Sequence, residues 1–109
     1  MTHYVYHLID PIDDIVRYVG KTTHPGRRLS GHIADAKKRQ NTAKKRWIAG
    51  LLDVGEKPML KVVAEFATEE SARINESEEC HNHHATIFNM HDPSKGAKAL
   101  KSDKKWKER

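Results

Sequence analysis

The chain has little cysteine, few aromatic residues and no long apolar run, and each shortage excludes a class of protein. Cys80 is the single cysteine among 109 residues, so internal disulfides are excluded, which fits a reducing cytosol. No apolar run is long enough to cross a bilayer, and Met1-Thr2-His3 shows no signal-peptide pattern, so we expect a cytoplasmic protein with no membrane partner. With 37% hydrophobic residues, the chain has room for one modest core and one domain.

Positive charge is abundant by contrast, and it is clustered. The formal net charge is +5, with cations grouped in Lys37-Lys38-Arg39, in Lys44-Lys45-Arg46 and in a basic stretch from Lys95 to Arg109. Clustered cations in a small domain favour a polyanionic partner. A solvated basic face that binds nothing in particular is the alternative that charge alone leaves open.

Two short segments near the start alternate in the manner of β-strands, and each carries a tyrosine. Tyr4-Val5-Tyr6 begins the first, and Arg17-Tyr18-Val19-Gly20-Lys21 lies in the second. The segment Asp10-Pro11-Ile12-Asp13-Asp14 between them supplies turn residues. A symmetrical hairpin places Tyr6 opposite Tyr18 with both phenols on one face, whereas a slip of one residue would separate them.

Helical and strand patterns alternate along the rest of the chain. A helix is predicted from Pro25 to about Arg39, and a second, with an apolar stripe, ends at Val54-Gly55. A third strand is predicted from Met59 to Phe66, and Thr68 caps a further helix. The apolar residues that we expect to face the core of the first two helices are Leu29, Ile33, Ala36, Trp47, Ile48, Leu51 and Leu52.

The helix after Thr68 has an unusual inward stripe. Steps of three and four residues from Ala72 lead to Glu76, Glu79, Cys80 and His83, where a core helix would normally carry leucine or isoleucine. A carboxylate on an inward face must be paired or must bind a metal ion.

In this order the elements resemble a known family. A strand with a tyrosine, a strand with Tyr-Val-Gly-Lys, a helix with Arg-Leu-x-x-His, a third strand, a helix with Ala-x-x-x-Glu and a later asparagine resemble the GIY-YIG nuclease domain. The first motif departs from the family, since Tyr4-Val5-Tyr6 stands in place of Gly-Ile-Tyr. The resemblance implies an α/β (α+β) fold with a small three-stranded mixed or antiparallel sheet flanked by helices. We expect this nuclease domain over residues 1–92 and a basic tail over residues 93–109.

The resemblance also implies a catalytic set and a metal ion. Tyr6 and Tyr18 would position or activate the attacking water, and Glu76 would bind Mg²⁺ or Mn²⁺. The other catalytic residues implied are Lys21, Arg28 and His32. Because a free phenol titrates near pH 10, the tyrosines need nearby cations such as Lys21 and Arg28 to act as bases.

Several of these assignments have alternatives. Glu79 lies about one turn after Glu76 and is the rival metal ligand. The two tyrosines could simply pack on each other, and His32 could be an ordinary surface histidine. A zinc site built from Cys80 and the later histidines lacks the paired spacing of structural zinc motifs, so we expect instead a pH-sensitive histidine surface near the phosphate path.

DNA, duplex or branched, is the partner that the resemblance implies. The residues expected to contact nucleic acid are Arg27, Lys37, Lys38, Lys44, Lys45, Arg46 and Asn89. The Asn89 amide would tie either the loop or a phosphate, and a plain turn residue is the alternative. Such contacts give affinity that weakens as the salt concentration rises, and they carry little sequence information. We therefore expect weak sequence preference, or reliance on a homodimer or a specificity partner. A DNA-binding accessory module without turnover, or a protein that binds an acidic protein partner, are the other functions that this composition allows.

Overall fold

A computed structural model describes residues 1–89, which form one sheet and three helices. The strands are β1 (His3–Ile9), β2 (Val16–Thr22) and β3 (Met59–Phe66); the helices are α1 (Pro25–Lys38), α2 (Ala43–Asp53) and α3 (Glu69–Asn82). Both strand pairs are antiparallel and the order is β2-β1-β3, so the predicted fold class is confirmed. Among the described helices, none has the length and apolar character that a membrane span requires. The predicted basic tail lies outside the described residues.

The hairpin register differs from the symmetrical one. Tyr6 pairs with Gly20, Leu8 pairs with Tyr18, and a bulge follows Leu8, so the prediction that Tyr6 lies opposite Tyr18 was wrong by two residues. The cause is a turn that closes through an Asp10 N–H to Ile15 carbonyl bond of 3.0 Å, combined with the extra bulged residue. Because side chains alternate with period two, a shift of two residues keeps both phenols on one face, as predicted.

The sheet separates two layers of packing. On one face, Val5 and Val19 are fully buried against Ala72 of α3. On the other face, Tyr6 and Leu8 are fully buried beneath α1 and α2. The buried residues that these two helices contribute are His32, Ala36, Ile48 and Leu51. The phenol pair and the α3 core therefore lie on opposite sides of β1 and β2.

The outer edge of β2 is covered by the segment that follows α3. The Phe88 N–H donates to the Arg17 carbonyl at 2.7 Å, and the Thr86 hydroxyl donates to the Val16 carbonyl at 2.8 Å. The Asn89 amide then donates to the Val19 carbonyl at 2.7 Å and accepts from the Val19 N–H at 3.0 Å. Both polar atoms of that amide thus replace a neighbouring strand, so we interpret Asn89 as an edge anchor instead of a nucleic-acid contact.

Trp47 also has a structural role. Its indole N–H donates to Oδ2 of Asp10 at 3.0 Å, while Oδ1 of the same carboxylate accepts from the Ile12 N–H at 2.8 Å. Its ring packs against Phe88, with 5.8 Å between centroids. Trp47 therefore joins α2 to the hairpin turn and to the edge segment.

We predict that Gly20→Ala destabilises the domain. An added Cβ at Gly20 would lie 2.5 Å from the Tyr6 phenol oxygen, so the buried ring or the strand must move. We expect the free energy of unfolding, measured by urea denaturation, to fall by about 1–3 kcal/mol. The control is Gly31→Ala in α1, where nothing lies within 4 Å of the added atom and stability should rise by about 0.5–1 kcal/mol. Wild-type stability for Gly20→Ala would contradict this packing.

Candidate active site

The phenol of Tyr6 is the centre of a buried polar cluster. Its oxygen lies 2.8 Å from Nε2 of His32, and Nε of Arg28 donates to it at 3.4 Å. Tyr6 is 0% exposed and His32 is 1% exposed, so an ordinary surface role for this histidine is excluded. The open backbone at Gly20 is what lets the phenol reach across β2 toward α1.

Lys44 completes the cluster from α2. Its ammonium nitrogen lies 3.1 Å from Nδ1 of His32 and 4.6 Å from the centre of the Tyr18 ring. The sequence predicts that Lys44 is a surface cation that contacts nucleic acid, whereas in the structure its side chain points toward His32 and Tyr18. One weak signal in the sequence indicates this inward placement. Lys44 lies one helical turn before the buried Ile48, so both side chains are on the inner side of α2.

The chain of contacts from Lys44 through His32 to Tyr6 has two hydrogen-bonding arrangements. When Lys44 is charged it can only donate, so His32 accepts at Nδ1 and donates from Nε2 to the phenol oxygen. When Lys44 is neutral it can accept from Nδ1–H, and Nε2 then accepts from the phenol O–H. The arrangement with charged Lys44 holds one proton more than the arrangement with neutral Lys44, so a proton that enters at the phenol oxygen converts the second arrangement into the first.

Burial controls the protonation of this chain. It lowers the pKa of His32 to about 3, helped by the charges of Lys44 and Arg28, so the ring is neutral near pH 7. Burial also lowers the pKa of Lys44, as do the neighbouring charges of Arg28 and Lys45. A neutral imidazole beside an amine of reduced basicity suits proton transfer better than two permanently charged groups.

The two phenols are less acidic than the sequence led us to expect. Burial raises the pKa of Tyr6, to which the proximity of Tyr18 adds, and burial likewise raises the pKa of Tyr18. Arg28 interacts with both phenols and opposes the rise, but does not overcome it. The ring centroids of the two tyrosines lie 6.4 Å apart, so they share one site as predicted, in their protonated forms.

Glu76 projects from α3 as a half-buried carboxylate without a fixed partner. Within residues 1–89 it has no hydrogen bond or ion pair. Burial raises its pKa, and only Lys21 acts against this rise. Its charge raises the pKa of Tyr6 and Tyr18, behind the larger effect of burial, which shows that it lies within electrostatic reach of the phenols.

Lys21 lies apart from the phenol cluster. It pairs with Val5 in the strand register, on the face opposite to Tyr6, and its ammonium group forms an ion pair of 3.1 Å with Glu69. Its charge lowers the pKa of Glu76, against the larger effect of burial. We therefore assign Lys21 to the surroundings of the carboxylate, and not to the stabilisation of charge at the tyrosines.

The sequence matches the model of a protein family. The model of the GIY-YIG catalytic domain matches residues 2–80 of the 109-residue chain. The chain belongs to the GIY-YIG family. Comparison with curated proteins and with solved structures gives no match. Members of the GIY-YIG family are nucleases that act on DNA, so membership implies nuclease activity in general.

GIY-YIG nucleases are generally metal-dependent, and the carboxylate oxygens of Glu76 are donors that suit a divalent ion. Mg²⁺ prefers oxygen ligands and keeps several waters, so one carboxylate together with substrate phosphate oxygens is sufficient for it. A half-buried carboxylate with a raised pKa and no other partner among the described residues is suited to such an ion. Glu79, the rival ligand, is already hydrogen-bonded to His7 at 2.7 Å.

The remaining cations of this GIY-YIG domain lie where nucleic acid could reach them. Arg27, Lys37, Lys38 and Arg46 are exposed on α1 and α2, and Lys45 is half-buried with its ammonium group on Asn41 at 3.2 Å. Their role as nucleic-acid contacts stays a prediction. They lie on the same two helices that contribute His32 and Lys44 to the phenol cluster.

We predict that acid destabilises the protein through His32. Its pKa is about 3 when folded and about 6.5 when unfolded. Between these values only the unfolded chain takes up the proton, so stability is full above about pH 6.5 and falls as the pH decreases. Urea unfolding of wild type should lose on the order of 1–2 kcal/mol more than His32→Gln between about pH 7 and pH 5. Equal losses in the two proteins would contradict a buried neutral imidazole.

Proposed function

We propose that this protein is a metal-dependent endonuclease that hydrolyses DNA phosphodiester bonds with an activated water. The supporting observation is the chain from Tyr6 through His32 to Lys44, set beside Arg28. A phenol, a neutral imidazole and a partly desolvated amine in hydrogen-bonding sequence can accept and move a proton. A merely structural tyrosine would not require a half-buried lysine behind its histidine partner.

In this proposal Tyr6 takes the proton of the attacking water. The reactive arrangement has Lys44 neutral, so that the phenol O–H donates to Nε2 of His32 and Nδ1–H donates to Lys44. As the water oxygen attacks phosphorus, its proton moves to the phenol oxygen, the phenol proton moves to Nε2, and the Nδ1 proton moves to Lys44. This relay needs no free phenolate, which agrees with the raised pKa of Tyr6.

Arg28 is proposed to bind the phosphate and to open the phenol to water. Its contact with the Tyr6 oxygen is long at 3.4 Å, and the residue is exposed. A guanidinium that turns toward a phosphate neutralises charge that grows in the transition state and at the same time uncovers the phenol. Tyr18 shares this guanidinium and is proposed to hold the water in position.

Glu76 is proposed to hold the divalent ion. The ion, Mg²⁺ or Mn²⁺, would supply a Lewis acid that stabilises the leaving oxygen. Within residues 1–89 no group of three or more ligating side chains includes Glu76, so substrate and water would supply most of the other ligands. Stable loading is therefore expected only when DNA is bound.

Recognition is proposed to rest on charge and not on base contacts. The exposed cations on α1 and α2 would contact phosphates on either side of the cleaved bond, which gives affinity without sequence information. Weak intrinsic sequence preference, or dependence on a second copy or a specificity partner, follows from this arrangement.

We predict that Glu76→Gln abolishes metal-dependent cleavage. With supercoiled plasmid and Mg²⁺, wild type should nick the DNA and chelator should stop it, while Glu76→Gln should be slower by about 10²–10³-fold. The matched control is Glu78→Gln, an exposed position on the same helix that should retain wild-type activity.

Two outcomes of this comparison would contradict the assignment. Equal loss in both variants would remove Glu76 as the metal ligand. If the wild-type protein bound the plasmid but did not nick it, this result would favour the DNA-binding accessory module.

We predict that Lys44→Met removes the proton acceptor and its pH dependence. Since the neutral amine is the competent form, the wild-type rate should rise with pH toward the pKa of Lys44, which burial lowers. Lys44→Met should cleave about 10²-fold more slowly and lose this rise. Lys45→Met should weaken DNA binding but keep the rise with pH. A wild-type pH profile in Lys44→Met would contradict the relay.

A further inference from the structure

A second cluster of chemical interest lies on the opposite face of the sheet from Tyr6. The side chains of His7 in β1, Glu79 in α3 and His83 at the end of α3 place their donor atoms within 4.8 Å of one another. Nε2 of His7 lies 2.7 Å from Oε1 of Glu79, and Nε2 of His83 lies 3.7 Å from the same oxygen. This cluster has no part in the proposed cleavage chemistry.

From this cluster we infer a binding site for a zinc-class divalent cation, formed by His7, Glu79 and His83. Two imidazoles and one carboxylate are the ligand types that Zn²⁺ and its first-row neighbours prefer, whereas Mg²⁺ prefers oxygen alone. Ligands at about 2.0–2.1 Å from a tetrahedral ion lie about 3.3 Å from each other. The two separations from Glu79, 2.7 and 3.7 Å, lie on both sides of that value, and the two imidazole donors lie within 4.8 Å of each other. Side-chain rotations would therefore bring all three donors to one ion.

The local structure holds these donors in place. Glu79 and His83 are four residues apart, so they share one side of α3, and the His83 N–H donates to the Glu79 carbonyl at 3.1 Å. The His7 and His83 rings meet edge to face, with 4.8 Å between centroids. A hydrogen bond from His7 to Glu79 would account for one buried histidine, but it does not require the second imidazole at the same carboxylate oxygen.

The site is also accessible from solvent. The His7 side chain is 9% exposed, while Glu79 and His83 are 22% and 34% exposed. An ion can therefore enter past the two helical residues and keep a water as a further ligand. Bound there, it would join β1 to the last turn of α3, one turn beyond Glu76.

The test is zinc binding by the full-length chain without an affinity tag, after treatment with chelator. We expect calorimetry to give one tight Zn²⁺ per chain that excess Mg²⁺ does not displace, with Co²⁺ giving the visible absorption of a low-coordinate site. Zinc at 100-fold above its Kd should raise the melting temperature by on the order of 10 °C. Glu79→Gln and His83→Gln should each weaken binding by at least about tenfold.

The control is His84→Ala, which removes an exposed neighbouring imidazole and should bind Zn²⁺ like wild type. His7 is left unchanged because it is buried. Absence of saturable Zn²⁺ binding by wild type would overturn the inference. Wild-type affinity in both Glu79→Gln and His83→Gln, each shown to be folded by circular dichroism, would overturn it as well. Neither result bears on plasmid cleavage, which tests Glu76 separately.

Discussion

The rest of the structure depends on one constraint, which is that the Tyr6 phenol is buried against the backbone of Gly20. A fully buried hydroxyl must be hydrogen-bonded, and here its partner is a histidine from α1 that is itself buried. That histidine in turn contacts a lysine from α2. One phenol oxygen thereby determines how two helices sit on the sheet, and glycine is the residue that leaves room for it.

The same burial sets the chemistry of the cluster. Desolvation disfavours every charged form, so it raises the pKa of the phenols and lowers that of His32 and Lys44. Each group is thereby moved toward its neutral state. A neutral phenol and a neutral imidazole can each accept one proton and release another, so in the relay that we propose only Lys44 gains a charge.

The two central carboxylates of α3 have different surroundings. Glu76 lies within electrostatic reach of the phenols, whereas Glu79, three residues later, contacts two histidines. Both glutamates lie on the inward stripe, so they differ in their surroundings and not in the side of the helix that they occupy. This helix is poor in apolar residues and packs against the sheet with a fully buried Ala72 and a partly buried Cys80.

The sequence by itself determined the elements and most of the phenol site. The apolar residues after Pro58 predicted β3 from Met59 to Phe66 as observed, the hairpin predicted that Tyr6 and Tyr18 share one face, and the family resemblance implied that Arg28 joins them. Only the tertiary structure decided the inward placement of Lys44, the pairing of His7 with Glu79 and the use of Asn89 on the edge of β2. The reason is physical. Periodicity shows which residues share a face of one element, but contacts between elements depend on how those faces pack against each other.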